Sequence, residues 1–111
     1  MSVHRIRLRE PWRHLRVEGN VQWRRKFNRP SGLGPEQRIW IEVKNRSRGV
    51  AVYLNGRHLG ETPAGAEAVR FELTGLLDLH NEITLMSTDA PQRLPSPLPA
   101  EVSLEIVDLG S

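Results

Sequence analysis

Four side chains in this sequence have the chemical types and the placement to hold a ligand: Trp40, Tyr53, Arg57 and His58. Trp40 stands within Arg38-Ile-Trp-Ile-Glu-Val-Lys44, where Ile39, Ile41 and Val43 claim one face of an alternating strand. That phase sends the indole to the outer face with Glu42 and Lys44. An outward tryptophan can stack the C–H face of a sugar ring or anchor a protein partner. The competing outcome is that the N-terminal segment or the proline-rich stretch at 90–100 simply covers it. Tyr53, Arg57 and His58 flank Asn55-Gly56, and Tyr53 and His58 are expected beside Trp40 if the two strands share a sheet.

Other chemistries find little support. The carboxylates, among them Glu61, Asp78 and Asp89, show no pairing suited to general acid–base work. His4, His14, His58 and His80 are scattered without metal-ligand spacing, and the chain has no cysteine, which excludes disulfides and thiolate metal sites. The glycines follow neither the dinucleotide fingerprint nor the phosphate-loop pattern. No catalytic residue, metal site or cofactor is expected, and the chain is read as a non-enzyme.

The elements that must position the four residues are strands. Gly49 to Gly60 reads as a hairpin, because both positions of a two-residue type I′ turn need φ > 0 and Asn-Gly supplies them. The turn predicts Leu54 opposite Arg57, Tyr53 opposite His58 and Val52 opposite Leu59. Val50, Val52, Leu54 and Leu59 then share the inner face. Upstream, Val3 to Arg9 alternates apolar with basic, Trp12 to Val17 is a short strand with Leu15 and Val17 inward, and Gly19-Asn20 turns the chain. Val21 to Phe27 follows with Val21, Trp23 and Phe27 in phase and Arg25 in the same register, either reaching the sheet edge or buried against a carboxylate. Trp12 and Trp23 read as core. Val69 to Leu73, Glu82 to Met86 and Val102 to Ile106 are further strands. Thr74 to Leu79 reads as one helical turn capped by Thr74, and 90–100, with four prolines, as loop or crossing segment. Seven or eight short strands over 111 residues predict an all-β antiparallel sandwich forming one domain, residues 1–111.

Charge is uneven along the chain. Nine basic residues and two acids precede Ser31, although the whole chain carries only +3. Pairing of the first and last strands would set Arg5, Arg7 and Arg9 near Glu101 and Glu105 and neutralise the outer face internally. Nucleic acid is an unfavoured partner, because the aromatic residues do not interleave with the basic ones. No apolar run is long enough to span a membrane and the start has no signal-like apolar core, so a cytoplasmic protein is expected.

Three segments carry a resemblance: Gln22-Trp-Arg-Arg-Lys-Phe27 with Pro30; Val50-Ala-Val-Tyr-Leu-Asn-Gly-Arg-His-Leu-Gly60; and Phe71-Glu-Leu-Thr-Gly-Leu-Leu77 with Asn81-Glu-Ile-Thr-Leu85. In this order they resemble the galactose-binding-like jelly roll at the N-terminus of family 2 glycoside hydrolases. The resemblance implies a jelly-roll fold and a non-catalytic, carbohydrate-binding type of module, without the catalytic barrel of those enzymes. Pro63 to Ala68 departs from the family, which has an aromatic segment there. The alternative is a self-associating or protein-docking module that binds no sugar.

Overall fold

The computed structural model describes residues 2–45, 49–63, 68–87 and 99–109. Among the described residues nine strands run in chain order: β1 (Ser2–Arg7), β2 (Arg13–Val17), β3 (Asn20–Asn28), β4 (Gln37–Asn45), β5 (Val50–Leu54), β6 (Arg57–Thr62), β7 (Val69–Glu72), β8 (His80–Ser87) and β9 (Ala100–Asp108). They form a four-stranded sheet, β1-β9-β4-β7, and a five-stranded sheet, β2-β3-β8-β5-β6, with antiparallel pairing throughout. The expected antiparallel sandwich is present, with one or two strands more than the periodicity shows. β1 and β7 are the edges of the first sheet, and β2 and β6 those of the second.

Alternation decides which residues meet between the sheets. Ile39, Ile41, Val43, Val102 and Leu104 point inward from the four-stranded sheet. They pack on Val21, Trp23, Phe27, Val50, Val52, Leu54, Ile83 and Leu85 from the other. Each such aliphatic side chain removed from water stabilises the fold by roughly 1.5–3 kcal/mol. Trp12 closes one end of this core, 4% exposed, and its Nε1–H donates to the Leu8 carbonyl at 3.1 Å. Among the described residues no helix is long and apolar enough to cross a membrane.

The hairpin turn forms as predicted, with positive φ at Asn55 (51°) and Gly56 (83°) and with Tyr53 opposite His58. Asn55 also has a second function. Its backbone N–H donates to the Glu82 carbonyl at 2.9 Å, and its Oδ1 accepts the Glu82 N–H at 2.8 Å. Its amide meets Asn81 Oδ1 at 3.0 Å. Buried Asn81 in turn accepts the Asp78 N–H at 2.9 Å and donates to the Asp78 carbonyl at 2.8 Å. The two asparagines thus join the hairpin tip to the start of β8.

Four local expectations are corrected. A bulge between Val52 and Tyr53 pairs Val52 with Gly60, so Leu59 is displaced from the opposing position it was assigned. Gly60 lies so close to Phe71 that a Cβ there would sit 2.6 Å from the ring. The turn between β2 and β3 is Glu18-Gly19, both with positive φ, rather than Gly19-Asn20. That one-residue slip exchanges the faces of β2: His14 and Arg16 stand opposite core residues Trp23 and Val21, while Leu15 pairs with outward Gln22. Finally, Thr74 to Leu79 contains no helix. Thr74 Oγ1 instead accepts the Ile39 N–H at 2.9 Å, so the hydroxyl caps the β4 ladder where β7 runs out.

Candidate functional site

The outer face of the four-stranded sheet carries three register rows. The first is Val3, Val107 and Arg38; the second is Arg5, Glu105, Trp40 and Glu72; the third is Arg7, Ser103, Glu42 and Arg70. Trp40 sits at the centre of the middle row, half-buried. Over it lies Arg70, whose guanidinium is 4.6 Å from the centroid of the indole ring; of the proline-rich stretch expected as a cover, residues 90–98 lie outside the described residues. Such a cation–π contact contributes about 0.5–1 kcal/mol at an exposed site.

Ion pairs run both along and diagonally between the rows. Glu105, with its side chain only 7% exposed, meets Arg70 at 3.0 Å and Arg5 at 3.4 Å. Arg5 also reaches Glu42 at 3.1 Å. Arg38 pairs with Glu72 at 3.8 Å, and Arg7 with Glu101 at 3.3 Å. The neutralised face expected from pairing the first and last strands is therefore present for Arg5 and Arg7. Arg9 lies beyond the end of β1, and its carbonyl accepts a hydrogen bond from Arg25 Nε at 2.6 Å. Arg25 also donates to the Lys26 carbonyl, so this inward-phase arginine meets backbone oxygens in exposed contacts rather than a buried carboxylate.

Between these rows the surface sinks into a groove of about 670 Å³. Trp40, Val3, Val107 and Leu109 give it apolar walls, and Arg38, Glu42, Arg70, Glu72 and Glu105 give it polar ones. Val3 and Leu109 are 51% and 53% exposed, large apolar side chains left open to solvent at its rim.

Tyr53, His58 and Arg57 lie elsewhere, because β4 and β5 belong to different sheets. On the outer face of the five-stranded sheet a single register row runs Arg13, Arg24, Thr84, Tyr53, His58. The Tyr53 and His58 rings touch there, with centroids 5.1 Å apart. Arg57 is exposed beside the turn, opposite core residue Leu54. The structure thus separates Trp40 from Tyr53 and His58, which lie on the opposite outer face of the sandwich, and leaves Arg57 on neither outer face, in Leu54's phase at the hairpin tip. Of the groove's lining only Trp40 was a site candidate from the sequence, and Arg70 and Glu72 are the charged residues nearest it that went unremarked. Their outward phase is readable from Val69 and Phe71, but their nearness to Trp40 depends on the β4–β7 pairing. Among the described residues no cluster of histidine and carboxylate side chains could hold a metal ion.

No protein-family model matches the chain, and no curated protein matches it. Solved structures do. A Bacteroides uniformis β-glucuronidase aligns over 96% of this chain with a TM-score of 0.75 at 17% identity. The β-D-glucuronidase of Dictyoglomus thermophilum aligns over 96% with a TM-score of 0.74 at 13% identity. A putative β-galactosidase from Bacteroides fragilis aligns over 83% with a TM-score of 0.59 at 22% identity. The likeness is one of fold. It bears out the jelly-roll-like sandwich implied by the three sequence segments. This chain spans 18%, 28% and 16% of those three much longer chains.

Proposed function

We propose that this chain is a non-catalytic carbohydrate-binding module whose ligand lies in the groove over Trp40. The observation that carries the reading is the composition of that groove: an indole and three aliphatic side chains set among two arginines and three glutamates. A sugar ring has the matching chemistry, an apolar C–H face ringed by hydroxyls that both donate and accept. The fold supports the reading at its own level, since the solved relatives are named as enzymes acting on glycosides. A second reading rests on the exposed rim residues Val3 and Leu109, which would suit an apolar anchor on a docked protein or a second copy.

Trp40→Ala separates the two. The ring is half-buried and its main cover is the half-exposed Arg70, so the substitution should cost well under the roughly 3–5 kcal/mol of a fully buried aromatic. Loss of oligosaccharide binding on a glycan array, with solution mass unchanged, supports the carbohydrate reading. A wild-type dimer that becomes monomeric, with no glycan bound in either form, supports docking. A loss of 3 kcal/mol or more would make Trp40 a core residue and remove the basis of both.

A further inference from the structure

We infer that the Trp40 groove selects neutral sugars and rejects uronates, despite the fold it shares with β-glucuronidases; the inference rests on the carbohydrate reading above. Its basis is the pairing of charges. Both arginines that line the groove are engaged by glutamates of the same groove, Arg70 by Glu105 at 3.0 Å and Arg38 by Glu72 at 3.8 Å. The remaining acid, Glu42, is held by Arg5 at 3.1 Å, and Arg5 also meets Glu105 at 3.4 Å. Every groove carboxylate has an arginine and every groove arginine has a carboxylate. A uronate entering here would have to displace Glu105 or Glu72 from its partner, or sit against the carboxylates already present. Displacing Glu105 is the harder course, because its side chain is 7% exposed and would be left buried without a counter-charge.

A neutral sugar faces neither obstacle. Each guanidinium has five N–H donors, and each carboxylate has about four acceptor sites. Outside the twice-paired Glu105, single ion-pair contacts leave donors on Arg38 and Arg70 and acceptors on Glu42 and Glu72 to hydroxyl groups. Charge-assisted hydrogen bonds to hydroxyls orient the ring, while Trp40, Val3, Val107 and Leu109 meet its C–H surface. The selectivity therefore resides in the glutamates, which act as built-in occupants of the arginine sites.

The experiment compares matched ligands: galactotriose against trigalacturonate, and xylotetraose against the same oligosaccharide bearing glucuronate. Binding is followed by calorimetry and by the fluorescence of Trp40, the other two tryptophans being buried. The neutral member of a pair should bind at least tenfold more tightly, and Glu105→Gln, by releasing Arg70 and Arg5, should raise uronate affinity about tenfold. Glu72→Gln, which releases Arg38 at a site where both side chains are more than 40% exposed, should act in the same direction without threatening the fold. Preference of the wild-type protein for the uronate would overturn the inference while leaving the carbohydrate reading standing. So would neutral selectivity that persists in both variants, since the glutamates would not then be its source. Failure of every sugar to bind would instead remove the carbohydrate reading itself.

Discussion

Gly60 on β6 lies against the ring of Phe71 on β7, in the other sheet, and substituting it tests that packing directly. An alanine Cβ at this position would lie 2.6 Å from Phe71 Cε1 and 3.3 Å from Cζ. Carbon atoms at optimal contact stand about 3.5–4.0 Å apart, so one of the two elements must move by close to 1 Å. Overpacking of this kind costs about 1–3 kcal/mol, and for a domain of this size each kilocalorie lowers Tm by roughly 4 °C. Gly60→Ala should therefore melt about 4–12 °C below the wild type. The assay is a double-mutant cycle in urea with Phe71→Leu, which removes the ring atoms that collide. Any backbone contribution at Gly60, whose φ is 158°, is common to both arms and cancels. The alanine penalty should fall by at least 1 kcal/mol in the leucine background, on the scale of coupling between touching residues. Equal penalties in both backgrounds would refute the contact as the cause.

Other outcomes follow from groups already described. Gly56→Val, which forces a β-branched residue to φ near 83°, should cost more than about 1 kcal/mol by thermal melting; an unchanged Tm would mean the turn relaxes freely. Asn81→Ala removes the side-chain partner of the Asp78 backbone N–H and carbonyl and the nearer of two acceptors of the Asn55 amide, and should lower urea stability by about 1–3 kcal/mol. Arg7 and Glu101 are 44% and 38% exposed, so their coupling in a double-mutant cycle should stay below about 1 kcal/mol and fade in salt.

The legible parts of this fold are those set by neighbours in sequence. Asn55-Gly56 imposes its turn because few other residues accept two positive φ values in succession, and Ile39, Ile41 and Val43 hold their face because alternation leaves no choice. Arg5 found Glu105 because pairing of the first and last strands was available as an expectation. The β2 face went the other way for want of a visible signal: Glu18 is not a residue that announces positive φ, and with β3 held by its core residues, moving the turn by one position inverts every side chain of the strand before it. Thr74 has the look of a helix cap, yet its partner, the Ile39 N–H, lies 35 residues away. The site was divided for the same reason. Trp40 and Tyr53 both face outward, but only sheet assignment, a long-range property, shows that the two outsides are different surfaces. Arg70 over Trp40 likewise required the β4–β7 register.

Among the described residues neither sheet closes on itself, so four strands have one side with no strand paired to it, the feature through which β proteins usually stack into fibres. Here each border is blunted in its own way. β7 is only four residues long, and β6 is broken by the bulge beside Tyr53. β1 sets His4, Arg5 and Arg7 along its length, and β2 carries Arg13, His14 and Arg16. A neighbour adding itself as a further strand would set arginine beside arginine at two borders and find too little straight backbone at the others. The sandwich can therefore remain unclosed without its described borders inviting amyloid-like extension.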